Sequence, residues 1–262
     1  MRFAAYLLNF NQDRWLLKSL RMIGPHVEKV YVAWSELPWT YNKNARRDFR
    51  NTSDPELLKK SEFYDKVELI IGEWGADHVQ RNACLDRARE DGFDYLFNFD
   101  IDEFYKDDDL VKAIDFVKQN PDFDRYLSNY VVFWKNLDYV LERDNGSLVS
   151  RPLEFIVNLN RGNRFWSKRT ANGKKRVTLD VICCHLSHVL TDDEYWAKLN
   201  TWSGLNGFDS KKWYEEKWIN WDENTRNLGH KKAERWPRAV KRPDFIELPK
   251  VLRDENSDIG QG

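Results

Sequence analysis

The first hundred residues alternate between short apolar runs and segments with helical spacing, and this alternation constrains the fold more than any other feature. The apolar runs are "RFAAYLLNF", "VEKVYVAWS", "KVELIIGEW" and "FDYLFNFD". "QDRWLLKSLRMIG" and "DHVQRNACLDRAREDG" lie between them and have helical character. Strands that alternate with helices pair in parallel. The sequence therefore predicts an α/β fold with a central, mostly parallel sheet flanked by helices.

The rest of the chain divides into a strand-rich part and a helical part. "DLVKAIDFVKQNP" predicts a helix stopped by Pro121, and "RYLSNYVVFWKNLDYVLERDNG" predicts strands with a turn at residues 144–146. "VTLDVICCHLSHV" predicts one more strand. From Thr191 on, the chain is Trp-rich with helical spacing, and it ends in a polar tail, "RDENSDIGQG", that we expect to be mobile. We expect residues 1–190 to form one domain and residues 191–262 a helical extension packed on it.

Composition excludes several classes of protein. Aromatic residues make up 15% of the 262 residues, which is far from the composition of disordered chains. The net charge of -1 predicts no polyanionic partner for the surface as a whole. No stretch approaches the roughly 18 apolar residues of a membrane span, and the N-terminus resembles a first strand rather than a signal peptide. Three cysteines form no disulfide framework, so we expect a reducing, cytoplasmic setting.

The fourth apolar run ends abruptly in acids, in the stretch "FNFDIDEFY". Residues i and i+2 of an extended chain point to the same side, so Asp100 and Asp102 can face one ion while Ile101 points into the core. Carboxylates suit hard cations such as Mg²⁺ or Mn²⁺, and such an ion can neutralise a diphosphate. Ligands of parallel sheets bind at this edge. The sequence therefore predicts a metal site here.

Other interpretations of these acids fit less well. An EF-hand would need Gly and Glu where the chain has Tyr105 and Val111. A phosphatase that forms an aspartyl-phosphate would place its acids after the first strand. Asp107, Asp108 and Asp109 are typical of a solvated helix start, where the helix dipole favours them.

Two segments together resemble the nucleotide-sugar half of GT-A glycosyltransferases of the family 2 type. "LLNFNQDRWLLKSL" is similar to the first strand and helix of that family, with Phe10 and Asn11 matching and Gln12 replacing an acid. "HVQRNACLDRAREDGFDYLFNFDID" is similar to the Arg-Asn helix and to the strand that ends in the Asp-x-Asp pair. The match covers about two-fifths of the chain. It departs after the second strand, where "WSELPW" replaces an Asp-Asp-Gly-Ser motif that holds the base and leaves Glu36 as a weak substitute.

The resemblance implies a hexosyltransferase that uses a nucleotide-diphosphate sugar, a UDP-sugar, together with Mn²⁺ or Mg²⁺. Residues 1–105 would form the nucleotide-sugar half and residues 106–190 the acceptor half. Asp102 would bind the metal with help from Asp100, which in the family also lies near the ribose. Asn11, Arg81 and Asn82 would line the donor pocket.

The resemblance also suggests a histidine as third metal ligand and a general base. His185 in "VICCHLSHV" matches the late-strand histidine of several GT-A families, and a zinc site with Cys183, Cys184 and His188 is a weaker alternative. An inverting enzyme needs a base, and Asp193 in "TDDEYW" stands where the family opens a helix with one. The same residues also match a capping box, and Asp180 is an alternative candidate for the base. A retaining mechanism would need no such base.

Residues 161–176 form a basic loop with seven cationic side chains, no acid and two aromatic residues. Lys168 or Arg169 would contact the donor diphosphate, or the loop would meet an anionic acceptor or a nucleic acid, or it is simply solvated. The acceptor, whether a glycan, a lipid-linked sugar, a protein or a modified nucleic acid, is not readable from the sequence. A sugar nucleotidyltransferase is one rival function. A carbohydrate- or nucleic-acid-binding protein on a transferase scaffold is another.

Overall fold

The computed structural model describes residues 1–39, 49–201, 209–230 and 233–253. Its strands are β1 (Phe3–Asn9), β2 (Lys29–Trp34), β3 (Val67–Ile71), β4 (Tyr95–Asp100), β5 (Glu103–Phe104), β6 (Arg125–Trp134), β7 (Asn136–Glu142), β8 (Val149–Asn158), β9 (Phe165–Ser167), β10 (Thr170–Ala171), β11 (Arg176–His188) and β12 (Arg238–Lys241). Its helices are α1 (Asp13–Ile23), α2 (Asp77–Glu90), α3 (Asp107–Gln119), α4 (Asp192–Thr201), α5 (Ser210–Trp213), which continues as a π-helical turn (Tyr214–Ile219), and α6 (Lys250–Arg253). Short 3₁₀ turns occupy Gly24–His26, Pro55–Lys60, Tyr64–Lys66, Leu159–Arg161 and Ala233–Arg235.

The N-terminal part of the sheet is parallel, as the strand–helix alternation predicted. Strands β3, β2, β1 and β4 lie side by side in that order, and Ala5 of β1 pairs with Val30 on one side and Phe97 on the other. Each connection is a crossover: α1 joins β1 to β2, and α2 joins β3 to β4. The predicted α/β class with a central sheet flanked by helices is confirmed.

Most of the remaining strands extend this sheet, mainly with antiparallel pairs, whereas β9 and β10 form a separate two-stranded sheet. The order continues from β4 through β8, β6 and β7 to β12 at the edge, all antiparallel. Strand β11 runs parallel to β6 and also pairs with the short β5. Because β5 follows directly after the acid pair, this pairing brings the end of β11 to the end of β4.

Alternate residues of β1 are buried in two different hydrophobic cores, one on each face of the sheet. Ala5 and Leu7 belong to the larger core, which α1 and α3 cover, whereas Ala4 and Tyr6 face α2 on the other side. The period of two along the strand therefore gives a sheet that is covered on both faces.

The C-terminal segment packs on the far end of the sheet through aromatic side chains. Trp134 of β6 lies fully buried among Tyr195, Trp213 and Trp218. The segment is helical over α4 and α5, as predicted, and it also supplies β12, which no sequence pattern suggested. Of the polar tail, residues 254–262 lie outside the described residues. Within the described ranges, no helix combines the length and the apolar character that crossing a membrane requires.

Candidate active site

A cavity of about 760 Å³ opens where β1, β2 and β4 end. One end is lined by side chains that follow β1 and β2 or belong to α2, namely Phe10, Gln12, Trp39, Asp77 and Gln80. The other end is lined by residues of β11 and α4 and by Gly229, His230, Arg235 and Trp236. The acids of "FNFDIDEFY" lie between the two ends, so the cavity is at the sheet edge where the sequence predicted a site.

Asp100 lies at the centre of the cavity with both carboxylate oxygens bound to arginines. Arg81 Nη2 donates to Asp100 Oδ1 at 2.6 Å, and Arg169 Nη1 donates to Asp100 Oδ2 at 3.1 Å. Arg81 also donates to Tyr6 Oη and to Asn98 Oδ1 and is itself buried. Burial alone would raise the pKa of Asp100, but the charges of the two guanidinium groups outweigh it and hold that pKa below its usual range.

Arg169 is held by several groups in addition to Asp100. Its Nη2 donates to Glu103 Oε2, to the carbonyl of Asn98 and to the carbonyl of Glu154, each at 3.0 Å, and its Nη1 also contacts Glu103 Oε1. Glu103 is completely buried. The guanidinium is therefore fixed in the floor of the cavity, and its donors point to the protein.

Asp102 has a separate set of partners. Its Oδ1 lies 3.6 Å from His185 Nε2, and its Oδ2 lies 3.6 Å from Lys198 Nζ. Burial would raise the pKa of Asp102, but the charge of Lys198 and the interaction with His185 outweigh it and lower that pKa. Burial would likewise lower the pKa of His185, but its interaction with Asp102 raises it. Asp102 and His185, two of the predicted ligands, are therefore neighbours.

The predicted three-ligand metal site is thus only partly assembled. Asp100 is bound to arginines, and among the described residues no group of three or more His, Cys, Asp or Glu side chains is arranged to hold a metal ion. Cys183 and Cys184, the ligands of the zinc alternative, are buried, and burial raises the pKa of both thiols. Neither belongs to the described residues that line the cavity.

Asn11 and Asn82, both predicted to line the donor pocket, bind other parts of the protein. Asn11 has a positive φ of 57°, and its Oδ1 accepts from the backbone N–H of Thr52 at 2.6 Å. Asn82 exchanges two hydrogen bonds with the backbone of Phe165, at 2.8 and 2.9 Å. Among the described residues, Arg81 and Lys168 line the cavity, whereas Asn11 and Asn82 do not.

Asp193, the predicted base, lies at the exposed start of α4. The Thr191 N–H donates to Glu194 Oε2 at 2.7 Å and the Glu194 N–H to Thr191 Oγ1 at 3.3 Å, so the letters form the capping box. Neither Asp193 nor its competitor Asp180 is among the described residues that line the cavity. The first turn of α4 therefore stabilises the helix, and a general base at Asp193 stays a prediction.

Three of the four arginines of the basic loop, Arg169 among them, face acids of their own chain. Arg161 pairs with Asp122 at 3.0 Å, and Arg164 pairs with Asp86. Lys168 differs: it lines the cavity, has a positive φ of 49°, and among the described residues has no ion-pair or hydrogen-bond partner. One ammonium group of the loop is therefore free to meet a ligand.

The far end of the cavity contains a chain of hydrogen-bonded rings. His188 Nδ1 lies 2.5 Å from Tyr195 Oη, which lies 3.2 Å from His230 Nε2. Burial holds the pKa of His188 well below its usual value, and burial with the charge of Lys198 lowers that of His230 to about 4. Both imidazoles are therefore neutral near pH 7.

Sequence reasoning missed Lys198 and Glu103. Lys198 stands in a Trp-rich amphipathic segment, where a lysine is ordinarily a solvated residue, and only the packing of α4 brings it to Asp102. Glu103 follows the acid pair directly, and an acid at a buried strand position, next to Phe104, is the signal that could have revealed it.

Comparison with known proteins gives partial likenesses only. No family model and no curated protein matches the chain. Among solved structures, S. aureus TarS 1-349 in complex with UDP-GlcNAc has 12% identity and a TM-score of 0.41, covering 75% of this chain and 64% of that one. HddC from Yersinia pseudotuberculosis complexed with GMP-PN has 13% identity and a TM-score of 0.43, covering 75% and 98%. The chain thus spans less than two-thirds of the TarS fragment. Likeness at these scores carries no argument about function, which rests on the side chains of the cavity.

Proposed function

We propose that the chain is a glycosyltransferase that moves a sugar from a nucleotide-diphosphate donor, a UDP-sugar, to an acceptor hydroxyl. The observation that carries the proposal is the cavity at the carboxyl ends of β1, β2 and β4, whose centre combines carboxylates with fixed cations. Ligands of open α/β sheets bind at this edge. In the reaction, the bond between the sugar carbon and the diphosphate breaks, a bond to the acceptor oxygen forms, and the acceptor proton is released.

The donor would occupy the end of the cavity next to β1 and β2. Phe10 and Trp39 supply aromatic surface there, and Trp39 is held by a 2.8 Å hydrogen bond from its Nε1 to Gln80 Oε1. Gln12 Oε1 is a buried acceptor without a partner among the described residues, so a donor group of the base or ribose would satisfy it. These groups suit a planar base with N–H donors.

The leaving diphosphate would lie at the centre, where positive charge is available. Lys168 has no partner among the described residues, and Lys198 is bound to the carbonyl of Ser187 at 2.6 Å as well as facing Asp102. Both line the cavity. Fixed cations around a leaving group stabilise the charge that develops on it.

Mn²⁺ or Mg²⁺ is part of the proposal, with Asp102 and His185 as its ligands. The two side chains fit: their facing atoms lie 3.6 Å apart, and a carboxylate with an imidazole is an acceptable donor set for Mn²⁺. His185 Nδ1 is buried and has no partner among the described residues, so this ring is not committed to a structural hydrogen bond at that atom. When bound, the ion would neutralise the diphosphate. Asp100 would remain the counter-ion of Arg81 and Arg169.

The test is calorimetric binding of UDP, GDP, CDP and ADP, with and without Mn²⁺. We expect Mn²⁺-dependent binding of UDP, and we expect Asp102→Asn to weaken it by about tenfold or more. The matched control is Asp108→Asn, because Asp108 is an exposed acid at the start of α3 outside the cavity. His185→Gln is a second variant in case Asp102→Asn does not fold, and thermal denaturation checks both.

Binding of no nucleotide, or binding that ignores both Mn²⁺ and Asp102, would contradict the proposal. A second assay addresses the rival enzyme. Release of pyrophosphate from UTP and a sugar 1-phosphate, without hydrolysis of any UDP-sugar, would replace the glycosyltransferase with a nucleotidyltransferase.

A further inference from the structure

The end of the cavity away from the donor residues shares only Lys198 with the proposed donor site. It is lined by the end of β11, by α4 and by the segment before β12, and its chemistry is supplied by His188, Tyr195, Lys198, His230, Arg235 and Trp236. This surface is continuous with the centre, because Lys198 belongs to both. A second substrate placed here would lie next to the reacting atoms of the donor.

Several groups at this end suit the hydroxyl groups of a sugar. His188 and His230 flank the hydroxyl of Tyr195, at 2.5 and 3.2 Å. His188 uses Nδ1 on that hydroxyl, so its other ring nitrogen is left as a donor or an acceptor for a sugar hydroxyl. Trp236 adds an aromatic ring to the wall, and sugar rings pack their apolar faces on such rings.

The charge at this end is positive. Lys198 and Arg235 are the cationic residues there, and Lys198 also faces Asp102 of the centre. None of the lining residues that the structure describes from β6, β11, α4, 229–230 and 235–236 is an acid. Arg235 is exposed, and its guanidinium carbon lies 5.5 Å from the centroid of the Trp236 ring. Among the described residues Arg235 has no carboxylate partner, whereas Arg161 and Arg164 of the basic loop both have one.

We propose that this end of the cavity binds the acceptor and that the acceptor is an anionic saccharide, with its ring on Trp236 and its carboxylate or phosphate at Arg235. The proposal rests on the proposed function, since it is the acceptor of that reaction. The anion would therefore be bound by Arg235 rather than by the basic loop, because most arginines of that loop pair with acids of the same chain. An arginine supplies paired donors to either anion, and the guanidinium of Arg235 lies beside the Trp236 ring.

The test measures binding of glucose, glucuronate and glucose 6-phosphate by calorimetry and by saturation-transfer NMR, with and without UDP and Mn²⁺. In the wild type, we expect the anionic sugars to bind about tenfold more tightly than glucose, which is the effect of one charge-assisted hydrogen bond. Arg235→Gln should bring them to the affinity of glucose, and Arg235→Lys should keep part of the preference. The stronger of the two anionic sugars identifies carboxylate or phosphate as the recognised group.

The matched control is Arg151→Gln, because Arg151 is exposed on β8 and has no partner among the described residues. It should leave all three affinities unchanged, and Arg235→Gln should leave UDP binding unchanged. Equal binding of the three sugars, or no effect of Arg235→Gln, in a protein that binds UDP would overturn this proposal and leave the glycosyltransferase intact. Anionic sugars bound by a protein that binds no nucleotide would remove the acceptor role and contradict both proposals.

Discussion

Asp100 shows how strongly the partners of a single carboxylate decide its role. The motif "FDID" predicts that Asp100 is a metal ligand, but in the folded protein both of its carboxylate oxygens accept hydrogen bonds from arginines. Three carboxylates at the centre of the cavity face three permanent cations: Asp100, Asp102 and Glu103 face Arg81, Arg169 and Lys198. A buried charge is tolerated only with such compensation. The acids therefore hold the cations in place.

Glu103→Gln tests this compensation. The substitution keeps the shape of the side chain but removes the charge that Arg169 contacts with both of its terminal nitrogens. We expect the free energy of unfolding to fall by about 3 kcal/mol, because a buried guanidinium loses a paired carboxylate. Urea denaturation measures it. Glu142→Gln, which removes the partner of the exposed Arg238, is the control and should change stability far less. Equal effects of the two substitutions would show that Glu103 does not anchor Arg169.

At the scale of elements, the hairpin of β9 and β10 delivers Lys168 and Arg169 to the cavity. The hairpin is small, and its attachment to the domain includes Asn82 of α2, which hydrogen-bonds both backbone groups of Phe165. The Phe165 ring packs edge-on against Tyr6, with 6.0 Å between centroids. The Arg-Asn pair of α2 therefore acts twice. Arg81 binds Asp100, and Asn82 holds the strand that precedes Arg169.

Asn82→Ala should loosen the hairpin while leaving the sheet folded. We expect the free energy of unfolding to fall by about 2 kcal/mol, the cost of two unmade hydrogen bonds to the backbone. Hydrogen exchange should show loss of protection at the Phe165 amide, since that N–H donates to Asn82 Oδ1. Asn129→Ala is the control, because the Asn129 side chain has no hydrogen-bond partner among the described residues. An unchanged exchange rate at Phe165 would contradict this attachment.

At the scale of the whole molecule, the C-terminal segment completes both the sheet and the cavity. Strand β12 pairs with β7, and the aromatic cluster around Trp134 joins the segment to β6. His230 packs against Trp213 with 4.4 Å between ring centroids. Residues more than two hundred positions from the N-terminus therefore line the same cavity as Phe10 and Gln12.

The partly buried position of His230 makes this packing sensitive to pH. Burial and the charge of Lys198 lower the pKa of His230 to about 4, against an ordinary value of about 6.5 in the unfolded chain. Between these values the unfolded state binds a proton that the folded state does not, so the free energy of unfolding falls as pH is lowered through this window. The full effect is about 3 kcal/mol. Urea denaturation at pH 7, 5.5 and 4 should show a steeper loss for the wild type than for His230→Gln. Parallel curves would mean that His230 is solvated.

The sequence by itself determined the order of strands and helices in the parallel half and the position of the acids at a strand end. The spacing of apolar residues and the capping of a helix depend only on residues close in sequence. The strand "FDYLFNFD" and the capping box of α4 could therefore be recognised without knowing the tertiary structure. Only the tertiary structure decided the partners. Arg169 reaches Asp100 across 69 residues, and Lys198 reaches Asp102 across 96, because the hairpin and α4 pack at the ends of distant strands. Local periodicity shows which face of an element is buried, but it does not show which other element covers that face. The role of a charged side chain at a sheet edge depends on which element packs against it.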